Sequence, residues 1–196
     1  MMESMYQMKC YPTLVMYNRV ISACAQAQQL GYATSLLLKM KNRNIKPDII
    51  TYNSILSACA SSGRWRDALR YLQEINQNIQ NIQPDIITYT NVIRACAKGR
   101  KPEKALELFE DAKVKGLTLD TYVYASVIDA CAKGSQWRKS LELLEDMKLK
   151  GIPPNRFTYS AAISACGNCG EWQTAIRLLD QVRKGRLTCR CYDICF

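Results

Sequence analysis

One string of residues recurs five times in this chain and constrains its fold more than any other feature. The string is Tyr-x-x-x-Ile/Leu-x-Ala-Cys, and successive copies are separated by 35, 37, 35 and 35 residues. Its copies begin at Tyr17, Tyr52, Tyr89, Tyr124 and Tyr159. Self-similarity at a period of about 20 to 50 residues is typical of arrays of small stacked repeats. We therefore expect a repeat protein rather than a single globular core.

Each repeat contains two helical patterns. In the first, the tyrosine, the Ile/Leu and the cysteine recur at i, i+4 and i+7, which is one face of a helix. In the second, an apolar stripe such as Ala105, Leu108 and Phe109 leads to a basic last turn and a glycine, which favour a helix end. A Pro-Asp or Pro-Asn pair then separates most repeats from the next. One hairpin cannot bury both of its faces, so the pattern predicts an all-α solenoid of stacked helix–turn–helix repeats.

The phase of the pattern sets the boundaries of five repeats. They cover residues 14–48, 49–85, 86–120, 121–155 and 156–190. Residues 1–13 are interpreted as part of a preceding repeat and residues 191–196 as a tail. The two extra residues of the second repeat fall in the polar stretch 76–83 and should lengthen a connection without disturbing the helices. Because the tail lacks the polar cap that a solenoid needs, we also consider that the chain is part of a longer protein.

The composition excludes several classes of function. The chain has 196 residues and no histidine, so catalysis and zinc binding that depend on histidine are ruled out. It has 27 basic and 17 acidic residues, and the net charge of +10 favours a polyanionic partner. No apolar run approaches the ~20 residues of a membrane-spanning helix. The first ten residues are neither rich in arginine nor clearly amphipathic, so no transit peptide is recognised there.

The chain contains ten cysteines, five of which recur at the long, regular interval of the repeat, and it has no recognisable signal peptide. This distribution indicates reduced thiols, and the five repeat cysteines should pack between helices as small apolar residues. Two closely spaced groups resemble metal ligands, namely Cys166 with Cys169, and Cys189 with Cys191 and Cys195. Structural zinc sites pair two defined ligand motifs, which are missing here. We therefore predict no metal site and no cofactor.

The repeats resemble the pentatricopeptide repeat. The residues that carry the resemblance are Ile50-Thr51-Tyr52-Asn53, Ala105-Leu106-Glu107-Leu108-Phe109 and Lys150-Gly151-Ile152. It extends over residues 14–190 and implies a right-handed superhelix of helical hairpins. It also implies binding of single-stranded RNA, one base per repeat, mostly in mitochondria and plastids such as the chloroplast. Unpaired strands are the form of RNA whose bases helical repeats can read.

The resemblance also implies which side chains read the bases. In this family, the residue after the tyrosine and the last residue of the repeat act as a pair. The pairs are Asn18 with Asp48, Asn53 with Asp85, Thr90 with Asp120, Ala125 with Asn155, and Ser160 with Arg190. The family associates Asn/Asp with uracil and Thr/Asp with guanine, so the RNA should run parallel to the chain and begin U-U-G. A different role also fits four of these residues, because Asp48, Asp85, Asp120 and Asn155 each precede a helix that they could cap.

Two further sets of residues complete the predicted RNA site. The family sandwiches each base between the residues two before the tyrosines, which are Val15, Ile50, Ile87, Tyr122 and Phe157. The alternative is that these five apolar residues belong to the buried core, which is the more common place for an apolar stripe. The resemblance places phosphate contacts at Lys98 and Lys133, and Arg94 lies one turn before Lys98. These three cations could equally be solvated surface charges.

The leading hypothesis is a non-enzymatic, sequence-selective binder of single-stranded RNA in organellar RNA processing, stability or translation. Its partners would be RNA and other RNA-processing proteins, with no membrane. The alternatives are a protein–protein interaction solenoid and the RNA-binding part of a larger enzyme. The intact pairs of the first three repeats favour RNA, whereas Ala125 and Arg190 weaken the pattern in the last two. The sequence leaves open the transcript, the organelle and the oligomeric state.

Overall fold

The computed structural model describes residues 12–77 and 82–192, with side chains as far as residue 183. These residues form ten α-helices and no strand. The helices are α1 Leu14–Gln26, α2 Leu30–Asn42, α3 Ile49–Ser62, α4 Trp65–Asn76, α5 Ile86–Lys98, α6 Pro102–Val114, α7 Thr121–Lys133, α8 Trp137–Leu149, α9 Arg156–Asn168 and α10 Trp172–Tyr192. Most of the segment predicted to precede the first repeat, part of the polar connection and the end of the tail lie outside the described residues. None of the described helices is long and apolar enough to cross a membrane.

The first four predicted repeats each contain two of these helices, and the fifth contains α9 and most of α10, which continues two residues beyond its predicted end at residue 190. The chain divides into two compact units, Met1–Gly99 and Arg100–Phe196. In the first unit, α1, α3 and α5 pack side by side in one layer, and α2 and α4 lie against them in a second layer. In the second unit, α7 and α9 form the corresponding layer, with α6, α8 and α10 packed against it. Within each unit the first helices of successive repeats are therefore direct neighbours.

The residues of the repeated string form the core. The tyrosine and the Ile/Leu of the string face inward in the first four repeats, as its helical spacing predicts. Four of the repeat cysteines are buried, namely Cys59, Cys96, Cys131 and Cys166. Burial raises the pKa of the Cys131 thiol to about 11, so it stays protonated at neutral pH. These cysteines therefore act as small packing residues.

Glycine ends the second helices at two matching positions. Gly116 and Gly151 both have a φ of +70°, the left-handed conformation that glycine adopts without steric cost. The N–H of Gly116 donates to the carbonyl of Lys113 at 2.9 Å, and the N–H of Leu117 donates to that of Ala112 at 3.1 Å. These bonds satisfy the last carbonyls of α6. The helix end predicted from the basic turn and the glycine is confirmed.

Candidate nucleic-acid interface

The five apolar residues predicted to sandwich bases lie on the surface. In the first unit, Val15, Ile50 and Ile87 are 60%, 59% and 56% exposed. In the second unit, Tyr122 and Phe157 are 74% and 61% exposed. The alternative that these residues belong to the core is therefore wrong. Each occupies the same place on its helix, so within a unit their exposed faces lie on adjacent helices, where a ligand could cover them.

Two of the predicted reading pairs are joined by hydrogen bonds in the first unit. The amide Nδ2 of Asn18 donates to both carboxylate oxygens of Asp48, at 3.0 and 3.1 Å. The amide Nδ2 of Asn53 does the same with Asp85, at 3.2 Å to each oxygen. The partners are about one repeat apart in sequence and meet because α1, α3 and α5 are neighbours. The sequence prediction thus names residues that the fold brings together.

The same carboxylates also cap the helices that follow them. Asp48 Oδ1 accepts the N–H of Thr51 at 2.8 Å, and Asp85 Oδ1 accepts the N–H of Thr88 at 2.7 Å. The hydroxyl of Thr88 lies 2.8 Å from Asn53 Oδ1, and that of Thr51 lies 2.5 Å from Oδ1 of the corresponding asparagine. Capping and pairing therefore coexist. The two N–H bonds of an amide diverge, so one of them points at both oxygens of the carboxylate and the other is left, while the threonine hydroxyl uses one of the two lone pairs of the amide oxygen; each asparagine therefore keeps one donor and one acceptor for another partner.

The remaining reading residues are arranged differently. The hydroxyl of Thr90 donates to the carbonyl of Ile86 at 2.7 Å. Its predicted partner, Asp120, lies in the second unit, where it is exposed and accepts the N–H of Val123 at 2.9 Å. The side chain of Arg190, predicted to pair with the exposed Ser160, lies outside the described residues.

In the fourth repeat no side-chain bond can join the predicted pair. Ala125 has no polar side-chain atom, so only Asn155 has hydrogen-bonding capacity. Asn155 Oδ1 caps α9 by accepting the N–H groups of Phe157 and Thr158, at 2.9 and 3.1 Å. The capping role proposed for the residues before the first helices is confirmed at all four positions.

The predicted phosphate contacts on α5 lie beside its reading residue. Arg94 and Lys98 are one turn apart, and they follow Ile87 and Thr90 at the i, i+3, i+7 and i+11 spacing of one helix face. Both cations are exposed. The Lys98 Nζ donates to the carbonyl of Ser61, a neutral acceptor that leaves the positive charge uncompensated. This face of α5 is therefore basic as well as apolar.

On α7 the corresponding charge is partly neutralised. Lys133 Nζ donates to Asp129 Oδ2 at 2.6 Å, one turn earlier on the same helix. Asp129 occupies the place that Arg94 holds on α5. The two lysines predicted as equivalent phosphate contacts thus lie in different electrostatic surroundings.

One candidate residue was missed by the sequence analysis. Arg156 is exposed at the start of α9, and its guanidinium carbon lies 4.8 Å from the ring centroid of Phe157. A cation in a first turn is unfavourable for the helix dipole. The other first helices begin with Leu, Ile, Ile and Thr, so the departure is visible in the sequence. A guanidinium on an aromatic ring widens the surface on which a base can stack.

The metal-like cysteines give no sign of a metal site in the described part of the chain. Among the described residues, no group of three or more His, Cys, Asp or Glu could hold a metal ion. Cys169 donates its S–H to the carbonyl of Ser135 at 3.2 Å. Cys189, Cys191 and Cys195 lie outside the residues whose side chains are described.

Comparison with protein families identifies the repeats. A model of the PPR repeat family matches residues 12–61, 47–98, 84–133 and 122–168, and a PPR repeat model matches residues 157–187. A comparison with curated protein sequences gives no match. The family matches extend over most of the chain and follow the repeat pattern found in the sequence.

Solved structures of PPR proteins share the fold. The pentatricopeptide repeat protein PPR10 from maize matches 89% of this chain at 26% identity and a TM-score of 0.70. PPR10 in complex with an 18-nt psaJ RNA element matches 92% at 24% identity and a TM-score of 0.69. The PPR domain of Arabidopsis thaliana protein-only RNase P 1, in complex with tRNA, matches 85% of this chain and 86% of its own length, at 15% identity and a TM-score of 0.70. This chain spans 25–30% of the length of PPR10. The predicted class, an all-α helical-repeat solenoid, is confirmed.

Proposed function

The chain belongs to the pentatricopeptide repeat family, and from this premise we propose that it is a sequence-selective binder of single-stranded RNA. The observation that carries the proposal is the Asn53–Asp85 pair, which lies between the exposed residues Ile50 and Ile87 along the layer of first helices. Two relatives of the same fold, PPR10 and the PPR domain of protein-only RNase P 1, have been solved with RNA bound. Their complexes support RNA as the partner of this chain.

In the proposed complex, a base inserts between Ile50 and Ile87. Both side chains are more than half exposed without a ligand, so a base between them would remove apolar surface from water. The edge of the base then meets the free donor and acceptor of Asn53, while Asp85 holds the amide in place. The same arrangement applies one repeat earlier, with Val15, Asn18 and Asp48. RNA bases are recognised in this way, by stacking and by hydrogen bonds to their Watson–Crick edge.

The proposed sequence preference follows from the pairs. The first two repeats select uracil through Asn18 and Asn53, and the third selects guanine through Thr90 and Asp120. The fourth repeat is less selective, because Ala125 cannot form a hydrogen bond with a base. Ser160 inclines the fifth repeat toward purines. Phosphate contacts come from Arg94, Lys98 and Lys133, which supply affinity without base preference.

We place this binding activity in a mitochondrion or chloroplast, where it would serve RNA processing, stability or translation together with other RNA-processing proteins. The support is family resemblance, and the role is binding rather than catalysis. Fractionation of cells that express the full protein tests the location, and recovery in the cytosol alone would contradict it. RNA crosslinking in the same cells would identify the transcript.

The substitution Asn53→Thr tests the reading function directly. It converts the second repeat to the Thr/Asp type already present at Thr90 and Asp120. Affinity for RNAs that differ only at the second base should shift from U toward G by about tenfold, since a mismatched polar edge costs ~1–3 kcal/mol. The control is Ser54→Ala on the next residue of α3, whose hydroxyl bonds the carbonyl of Ile50.

The outcomes of this experiment separate the candidate functions. A control that keeps the wild-type preference shows that the shift belongs to Asn53. An equal loss of affinity for all four bases would assign Asn53 a structural role. If the folded wild-type protein binds no single-stranded RNA at moderate salt, the protein-interaction alternative replaces RNA binding.

A further inference from the structure

We propose that Thr51 and Thr88 are positioning residues for base selection, each fixing the amide orientation of the reading asparagine in the preceding repeat. The inference rests on the proposed function, because it concerns how Asn18 and Asn53 present their hydrogen-bonding groups to a base. Thr51 and Thr88 are the third residues of α3 and α5, where each takes part in a capping box. The proposal gives them a second role, in base recognition by the repeat before.

The contacts of Thr88 carry the argument. Its side chain is fully buried, and its hydroxyl lies 2.8 Å from both Asn53 Oδ1 and Asp85 Oδ1. A hydroxyl has one hydrogen to donate. Asp85 Oδ1 already accepts the N–H of Thr88 at 2.7 Å and the amide of Asn53 at 3.2 Å. The hydroxyl hydrogen is therefore best used by the amide oxygen of Asn53.

The result is an amide held from both ends. Its nitrogen faces the carboxylate of Asp85, and its oxygen faces the hydroxyl of Thr88. Rotating the amide by half a turn would bring its oxygen against the carboxylate and lose both bonds. Thr51 completes the same arrangement around Asn18 and Asp48.

A fixed amide presents its free donor and acceptor in a fixed order. Uracil has an acceptor at O4 and a donor at N3, whereas cytosine has a donor at N4 and an acceptor at N3. The two pyrimidines have nearly the same shape, so stacking between Ile50 and Ile87 cannot distinguish them. An amide free to turn could satisfy either base. Discrimination between them therefore depends on what holds the amide, and Thr88 provides that hold at its oxygen end.

The second compact unit shows that this contact is separable from capping. Thr158 occupies the same place on α9, but the reading residue of the preceding repeat is Ala125, which has no amide. There the threonine hydroxyl donates to the carbonyl of Asn155 at 2.8 Å, while Asn155 still caps Thr158. Asp120 caps α7 although the third residue is Val123, which has no hydroxyl. A cap forms without the hydroxyl–amide bond, so that bond is not needed for the helix to begin.

The experiment compares Thr88→Val with the matched control Thr158→Val. Both variants keep the size of the side chain and remove the hydroxyl of a capping box. Each is titrated with four short single-stranded RNAs that differ only at the base read by the second repeat. Loss of one hydrogen bond should reduce the preference for U over C by about three- to tenfold in Thr88→Val. Thr158→Val should keep the wild-type preference.

Two further variants keep the result interpretable. Thr51→Val should loosen the preference at the first base and leave the second unchanged, which a general loss of stability would not do. Thr88→Ser retains the hydroxyl and should retain the preference for U.

The possible failures are distinct. If the wild-type protein selects U and Thr88→Val, with its fold intact, selects U equally well, the positioning role is wrong and the proposed function stands. If the wild-type protein binds RNA without preferring U, or binds none, the reading function itself fails and the positioning role falls with it.

Discussion

The amide of Asn53 shows how single residues acquire their role in this chain. Its partners Asp85 and Thr88 are 32 and 35 positions away, so no local pattern joins the three. They meet because one repeat length separates neighbouring helices in the packed layer. The carboxylate of Asp85 caps α5 and holds the amide of Asn53 at the same time, so no further residue is needed for the second contact. The two roles given to Asp85 from the sequence are therefore compatible.

The first prediction concerns Phe157. Replacing Phe157 with alanine should weaken binding of single-stranded RNA about five- to a hundredfold, because stacking on an aromatic ring contributes ~1–3 kcal/mol per base. The ring is 61% exposed in the absence of RNA, so the free energy of unfolding should change little. The control is Leu149→Ala, since Leu149 is 88% exposed on the second helix of its repeat. Fluorescence anisotropy with a labelled RNA measures both, and an equal loss in the two variants would contradict a stacking role.

The site could be predicted from the sequence only where the repeat register determines it. Asn18, Asn53 and their acidic partners follow from position in the repeat. The pairing of Lys133 with Asp129 departs from that register, because three of the other repeats have Ser and one has Arg where Asp129 lies. The contact of Arg156 with Phe157 was also missed, because the prediction used residues that recur in every repeat, and an arginine stands at this place in the fifth repeat only.

At the scale of helices, the repeated tyrosine joins the two helices of a hairpin. In the second unit, the Tyr124 hydroxyl donates to Asp146 Oδ2 at 2.7 Å, and Lys150 Nζ lies 2.9 Å from the same oxygen. Burial alone would raise the pKa of Asp146, but the hydrogen bonds from Tyr124 and Lys150 outweigh it and hold that pKa below its usual value. In the first unit, Tyr52 donates to Glu74 in the same way. The repeated spacing of the tyrosines predicts the first helix of each hairpin and its buried face. It does not predict the bonded carboxylate, which lies on the second helix of the hairpin.

The second prediction removes this hydroxyl. Tyr124→Phe should lower the free energy of unfolding at neutral pH by about 1 kcal/mol, less than a buried charged hydrogen bond because Asp146 is partly exposed. The control is Tyr159→Phe at the matching place, where the described residues include no carboxylate bonded to the hydroxyl. Since the pKa of Asp146 is lowered in the folded state, its stabilisation is present above the unfolded pKa and is lost as pH falls through the folded value. Urea unfolding at a series of pH values from 7 downward should therefore show the difference between wild type and Tyr124→Phe shrinking in acid, and a difference that does not change with pH would contradict the assignment.

For the whole chain, the fold was largely predictable and the electrostatics were not. The repeat length and the buried face of each first helix determine an all-α array, because stacking is the way for such hairpins to bury both faces. The net charge of +10 predicts attraction to polyanions, but not where the charge remains available. That depends on contacts such as Lys98 with a carbonyl and Lys133 with a carboxylate. Affinity for RNA in general and preference for a sequence therefore come from different residues.

The last prediction uses that difference. Replacing Lys98 with alanine should weaken binding about equally for all RNA sequences and reduce the slope of log affinity against log salt by up to ~0.7, the value for one phosphate contact on a single strand. Lys133→Ala should have a smaller effect, because Asp129 already compensates that lysine at 2.6 Å. Asp129→Asn should then tighten binding and steepen the slope, since it releases the charge of Lys133. Lys104→Ala, which removes a lysine paired with Glu107 on the second helix α6, serves as the control. Salt titrations of the four variants measure these slopes, and equal slopes for Lys98→Ala and the control would mean that Lys98 does not contact phosphate.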